Sequence, residues 1–147
     1  MGKVTKSIEI EAPPEKVFDF INDMEKSNKM SKGVSEGEYT SKGPIGVGTT
    51  LHMVGKVGGT QAEFDMIITE FLKNRKVSMR TIGSSKFKMK GSMILEPTAK
   101  GTKLTNSMDY EVPYSVLGKV IDKLKVGKDL DKVMGKMVEN VKKVLEA

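Results

Sequence analysis

The chain contains 147 residues, of which 37% are apolar and 30% are charged. This balance is typical of a globular protein and excludes a disordered or fibrous one. The lack of cysteine excludes disulfides, thiolate nucleophiles and cysteine-built metal sites, and a single histidine leaves few ligands for zinc. We therefore expect no metal and no other cofactor.

The net charge of +6 comes almost wholly from lysine. Only Arg75 and Arg80 carry the planar guanidinium that suits phosphate and guanine, so we expect no nucleic-acid partner. No stretch approaches the ~20 apolar residues of a membrane span, and the first residues lack the apolar centre of a signal peptide. We therefore expect one domain over residues 1–147, cytoplasmic and without integral membrane association, with weak attraction to anionic surfaces.

The first predicted elements are a strand and a broken helix. Residues 4–12 alternate apolar and polar side chains, which predicts a half-buried strand. Pro13 and Pro14 end it, and Pro14 suits the first turn of a helix. Helical spacing of apolar residues then continues to Met30, with a predicted break near Asn22 and Asp23.

Period-two alternation returns after Gly33 and predicts six further strands. They are separated by short segments rich in Gly, Pro, Asn and Ser, so successive strands should form antiparallel hairpins. The predicted strands cover 34–40, 49–57, 61–72, 76–82, 86–96 and 102–112.

The remainder, 114–147, predicts one long amphipathic helix. Gly127 is one of three glycines that each cost roughly 1 kcal/mol against alanine, so the sequence allows a bend near Val126 and Gly127. The apolar positions of the helix are Leu117, Val120, Ile121, Leu124, Leu130, Val133, Met134, Met137, Val141, Val144 and Leu145.

This order of elements indicates an α+β protein in which the terminal helix covers the apolar face of a curved sheet. Three short motifs resemble the START and birch-pollen-allergen-like superfamily, in its polyketide cyclase/dehydrase branch: APPEKVF at 12–18, GPIGVGTT at 43–50 and GTKLT at 101–105. The resemblance implies a helix-grip fold, in which a curved antiparallel seven-stranded sheet wraps around a long C-terminal helix. Met30 stands where many relatives have Trp.

The motif GPIGVGTT also raises the question of a phosphate-binding loop. A P-loop needs lysine where Thr49 stands, and here a predicted strand rather than a helix follows. We interpret the glycines as serving the backbone conformation of a strand connection.

Strand parity predicts an inner wall rich in methionine that faces the terminal helix. Methionine suits both irregular cores and apolar binding surfaces, and its spacing alone favours a core, whereas the family resemblance favours a cavity. The candidate ligand-binding residues are Met53, Phe64, Met66, Met79, Met89, Met93, Asn106, Met108, Tyr110 and Met134.

Polar groups on this wall need partners, because an unpaired buried polar group costs ~1–3 kcal/mol. Asn106 is therefore either satisfied within the protein or orients a ligand, whereas satisfaction within the protein is the commoner outcome for Tyr110. His52 and Arg80 fall on the outer parity, as do Glu63, Asp65 and Asp109, and Glu70 is likewise expected to face outward. We predict no catalytic residue and no metal ligand among them.

Three functions follow. The favoured one is binding of a small hydrophobic or amphipathic molecule, lipid- or polyketide-like, in a cavity between sheet and helix. The alternative, implied by the resemblance, is a cyclase or dehydrase, which needs a proton donor or acceptor that only Tyr39, Tyr110 and Tyr114 could supply. The third is a partner-binding or membrane-surface role for the helix lysines 119, 123, 132, 136 and 143. Monomer and homodimer are both compatible with the sequence.

Overall fold

The computed structural model describes residues 2–32, 35–57, 60–83, 87–111 and 123–147. The predicted elements are present, with ends shifted by a few residues at most. The predicted strand end at Val112 and helix start at Tyr114 lie outside the described residues. In chain order the elements are β1 Gly2–Ile10, α1 Pro14–Asn22, α2 Met24–Met30, β2 Ser35–Tyr39, β3 Thr50–Val57, β4 Thr60–Leu72, β5 Lys76–Ile82, β6 Lys88–Pro97, β7 Thr102–Glu111 and α3 Lys123–Glu146.

The strands form one seven-stranded antiparallel sheet in the order β1-β7-β6-β5-β4-β3-β2. From β2 to β7 each strand pairs with the next one along the chain, as short hairpin links require. β1 instead pairs with β7, so β1 and β2 are the two edges. The predicted α+β class and seven-stranded sheet are confirmed.

The two short helices meet at Asp23, where the sequence predicts a break. α1 starts at Pro14, whose missing N–H costs nothing in a first turn. α1 ends as Asp23 adopts extended dihedrals, and Asp23 Oδ1 then accepts a hydrogen bond from Lys26 N at 3.2 Å to cap α2. α1 buries Phe18, whose ring meets that of Phe71 edge-on, with the centroids 5.2 Å apart.

A β-bulge in β4 changes which side chains face the helix. The register with β5 shifts between Ile68 and Glu70. Strict alternation after Ile68 would turn Glu70 inward, whereas the bulge lets Glu70 point outward, where its carboxylate lies 2.8 Å from Lys76 Nζ. Phe71 packs against the core instead, opposite Val77.

α3 is continuous from Lys123 to Glu146 and lies chiefly along β1, with fewer contacts to β7 and β3. Helix and strand are joined by the Lys6–Asp131 ion pair of 2.9 Å and by a hydrogen bond from Glu11 N to the Glu146 carboxylate. Val144, predicted to belong to the apolar stripe, is 50% exposed, because the stripe continues from Val141 to Leu145, which packs against the core, and leaves Val144 to one side. The buried helix positions are Val126, Leu130, Met134, Val138 and Val141.

The glycine-rich loop is a strand connection, as the sequence analysis interprets it. Gly43 and Gly48 have φ of 98° and 92°, a region that favours glycine. Gly48 N donates to Ile68 O, and Ile68 N donates to Thr49 O, both at 2.9 Å. The end of the loop is therefore bonded to the backbone of β4.

Candidate functional site

The ten candidate residues lie in or beside two core clusters between the sheet and α3. The first cluster contains Met66, with Met53, Met79 and Met93 packed against it. The second contains Met89, Tyr110 and Met134, with Met108 packed against it. Phe64 packs against both clusters, so it marks the place where they meet. Asn106 is also buried, in the strand beside Met93.

The inner wall is unevenly covered. Met66, Met89 and Met134 are buried. Other members of the same wall keep part of their surface accessible although the sheet turns them toward the core. These half-buried side chains are Met53, Phe64, Met79, Met93 and Met108.

The position of α3 accounts for this difference. The helix lies along the β1 edge of the sheet, so the central strands β4, β5 and β6 are farther from its backbone. Long, flexible methionine side chains span that distance, and methionine adapts its shape more readily than branched residues do.

Asn106 is the polar group placed most deeply in the wall. Its side chain is 7% exposed, and Nδ2 lies 3.5 Å from Met137 Sδ. A thioether sulfur is a weak acceptor. Among the described residues, this is the only hydrogen bond that the structure gives the Asn106 side chain.

Two glycines leave room for the Tyr110 side chain, and the sequence analysis did not connect them with it. A Cβ atom at Gly2 would collide with the Tyr110 ring, and a Cβ at Gly127 would lie 2.7 Å from the Tyr110 hydroxyl oxygen. Gly127, where the sequence allowed a bend, therefore makes room for Tyr110 within a continuous helix. A glycine in the middle of an amphipathic helix was the available signal.

Other ionisable groups near the wall are already engaged. The Tyr39 hydroxyl donates to Asn22 O at 3.0 Å, and burial together with the nearby Asp23 carboxylate raises the pKa of Tyr39. Lys6 sits opposite Asn106 in the β1–β7 register but its ammonium pairs with Asp131. Tyr114 lies outside the described residues.

His52 points to the outer face of the sheet, as its parity predicts, and has acidic neighbours there. Its Nδ1 lies 2.8 Å from Asp65 Oδ1, and its Nε2 lies 3.8 Å from Glu63 Oε1. The hydrogen bond to Asp65, aided by the surrounding carboxylates, raises the pKa of His52. Among the described residues no three His, Asp or Glu side chains are placed to hold a metal ion. Arg80 is exposed.

No helix in the described ranges combines the length and the apolar character that a bilayer crossing requires. No curated protein sequence matches the chain.

Solved structures resemble it over nearly its whole length. Protein TTHA0849 of Thermus thermophilus has a TM-score of 0.82 at 20% identity, covering 99% of this chain and 97% of that one. A START superfamily protein of Mycobacterium smegmatis has a TM-score of 0.79 at 16% identity, covering 98% and 97%. The di-domain ARO/CYC protein BexL of the BE-7585A biosynthetic pathway has a TM-score of 0.74 at 15% identity, covering 99% of this chain and 50% of that one. These likenesses establish the fold.

The family model for polyketide cyclase/dehydrase and lipid transport matches residues 1–146. This match agrees with the resemblance of the three sequence motifs and with the START-type neighbours. The chain belongs to the polyketide cyclase/dehydrase and lipid transport family and has the START-type helix-grip fold.

Proposed function

We propose that this protein binds a small hydrophobic or amphipathic molecule, lipid- or polyketide-like, between the sheet and α3. The observation that carries the proposal is the half-buried set of inner-wall side chains beneath a helix that lies to one side. Apolar side chains that face a core yet retain accessible surface gain free energy when an apolar ligand covers them. The family description, which includes lipid transport, supports the same class of ligand.

The driving force is removal of apolar surface from water. Covering about 250 Å² of apolar surface is worth about 6 kcal/mol at ~25 cal/mol per Å². Loss of ligand motion and ordering of methionine side chains oppose this gain, so we expect dissociation constants above the value of about 40 μM to which 6 kcal/mol alone corresponds. Because methionine is adaptable, the wall should accept ligands of several shapes.

The Asn106 side chain orients the ligand. Its amide lies within the methionine wall and has only the weak Met137 sulfur contact among the described residues. A ligand with a carbonyl or hydroxyl group could make the stronger hydrogen bond that this amide lacks. Tyr110 lines the second cluster, where its ring supplies apolar contact.

Binding is better supported than catalysis. A cyclase or dehydrase needs a positioned proton donor or acceptor whose pKa lies near the working pH. Among the described residues the ionisable groups around the wall are Tyr39, which is bonded to Asn22, Lys6, which is paired with Asp131, and Tyr110. The reference pKa of a tyrosine side chain, about 10, is far from that range, and burial raises the pKa of Tyr39 further.

The proposal is tested by methionine-methyl NMR of the protein with a panel of neutral and anionic lipids and aromatic polyketide mimics. We expect shifts at Met53, Met79, Met93 and Met108, and native mass spectrometry of protein purified from its own host should show a co-purified small molecule. Met79→Trp, which places a larger side chain between the sheet and α3, should abolish the shifts. Val47→Trp is the matched control, since Val47 is 69% exposed.

Urea unfolding of both variants separates loss of binding from loss of fold. If Met79→Trp is unstable, Asn106→Leu serves as the second variant. Ligand shifts that persist unchanged in a folded Met79→Trp protein would contradict the proposal. So would a complete lack of methyl shifts across the panel together with no co-purified molecule.

A further inference from the structure

A groove of about 350 Å³ lies between α1, the glycine-rich loop and the turn that joins β4 to β5. Its apolar lining comes from Phe18, Ile45 and Phe71, and the two rings form the edge-on pair described above. None of the ten candidate residues of the inner wall lines it. The volume falls at the small end of the range for ligand sites, which is about 300–1,000 Å³.

The polar lining of the groove includes side chains of opposite charge. Asp19 on α1 and Lys73 in the turn are both exposed, and neither side chain forms an ion pair or hydrogen bond with any described residue. Asp23, by contrast, is occupied as the cap of α2. Asn22 donates its amide N–H to Phe18 O at 2.9 Å, which leaves its side-chain carbonyl as an acceptor.

We propose that this groove binds a small zwitterion with an aromatic or branched apolar body, of the size and chemistry of a free amino acid. The apolar body covers the accessible parts of Phe71 and Ile45, next to the buried ring of Phe18. The ammonium group of the ligand lies toward Asp19 and the side-chain carbonyl of Asn22, and its carboxylate lies toward Lys73. A simple cation would leave Lys73 unpaired, and a simple anion would leave Asp19 unpaired, so each makes fewer favourable contacts than the zwitterion.

Three probes with the same phenyl body test the charge requirement: phenylalanine, phenethylamine and 3-phenylpropionate. Backbone NMR shifts should map to α1, the loop and the β4–β5 turn, and phenylalanine should bind most tightly. Because each exposed charge pair is worth at most about 1 kcal/mol, removing either partner should weaken phenylalanine binding by up to about fivefold.

Asp19→Asn and Lys73→Gln remove the two charges one at a time. Glu15→Gln and Lys100→Gln are the matched controls, because both residues are exposed and lie outside the groove lining. The Asp19→Asn protein should lose its preference for phenylalanine over 3-phenylpropionate, and the Lys73→Gln protein should lose its preference over phenethylamine.

Equal or tighter binding of either singly charged probe to the wild-type protein overturns the inference. So does the absence of any shift at millimolar phenylalanine, or a set of shifts confined to the inner-wall methionines. The first two results leave the proposal of lipid binding beneath α3 unchanged, since the two sites share no lining residue. Shifts confined to the inner-wall methionines would instead assign the phenyl probe to that site.

Discussion

The side-chain amide of Asn28 makes two hydrogen bonds with the backbone of Gly37. Asn28 Nδ2 donates to Gly37 O, and Gly37 N donates to Asn28 Oδ1, both at 2.8 Å. Asn28 lies on α2, and Gly37 lies in β2, an edge of the sheet. The amide therefore satisfies backbone groups that a neighbouring strand would otherwise bind, which protects this edge from pairing with another chain.

Asn28→Ala should lower the free energy of unfolding by about 1–3 kcal/mol, because it removes two hydrogen bonds to a half-buried backbone. Asn28→Asp keeps the acceptor for Gly37 N but sets a carboxylate oxygen against Gly37 O, so its loss should be at least as large. Urea unfolding measures both. An Asn28→Ala protein as stable as the wild type would show that water replaces the amide at no cost.

Gly127→Ala should destabilise the protein by about 1–3 kcal/mol, although alanine is the better helix former. The added Cβ would lie 2.7 Å from the Tyr110 hydroxyl oxygen. Tyr110→Phe removes that oxygen and should recover much of the loss in the double variant, as thermal unfolding of the four proteins would reveal.

Gly135→Ala is the matched control for the same helix. A Cβ there would meet the Lys6 side chain at 3.7 Å, an ordinary van der Waals contact. We expect a gain of about 1 kcal/mol from helix propensity alone. Equal effects at positions 127 and 135 would mean that Tyr110 does not restrict the helix.

Asn106→Leu should raise the stability of the ligand-free protein or leave it unchanged. The substitution replaces a buried amide that has a weak sulfur acceptor with an apolar group of similar size. The same variant should bind carbonyl- or hydroxyl-bearing lipids more weakly, while simple hydrocarbons are unaffected. A marked loss of stability would indicate that Asn106 serves the fold rather than a ligand.

The His52–Asp65 pair should make stability depend on pH. The folded state raises the pKa of His52, so the protonated imidazole stabilises the fold fully below about pH 6.5, and this contribution is lost as pH rises through the folded pKa. We expect greater resistance to urea at about pH 6 than at about pH 8.5. NMR of the single histidine reports its pKa directly.

His52→Gln should remove that pH difference, and Asp65→Asn should bring the pKa of His52 back toward its usual range. A His52 pKa at or below 6.5 in the wild-type protein would contradict the prediction.

Alternation and turn chemistry were sufficient to predict the sheet, because both are local properties of the chain. The β4 bulge was not predictable in this way, since an extra residue in one strand is detected only against its partner. Phe71 consequently was not assigned to the core, and its contact with Phe18 was missed. The Asn28–Gly37 and Gly127–Tyr110 contacts join residues of different elements, which alternation within one element cannot connect.

The candidate wall was predictable for the same reason as the sheet. Its strand residues share one face by parity, and with Met134 of α3 they lie in or beside the core. Their role in binding stays a prediction. Which of them stay half-buried depends on where α3 lies across the sheet, and periodicity within the helix does not set that position. The groove beside α1 depends on the Phe18–Phe71 contact and was not predicted.

The hydrogen bond between Glu11 and Glu146 joins positions 135 residues apart, and Val4 pairs with Met108 across 104 residues. During translation at ~5–20 residues per second, β1 therefore waits about 5–20 s for its partner strand to emerge, and longer for α3. Its apolar side chains stay uncovered on the ribosome throughout that interval. Yield in the cell should consequently respond to elongation speed and to early-acting chaperones more strongly than the stability of the finished protein would suggest.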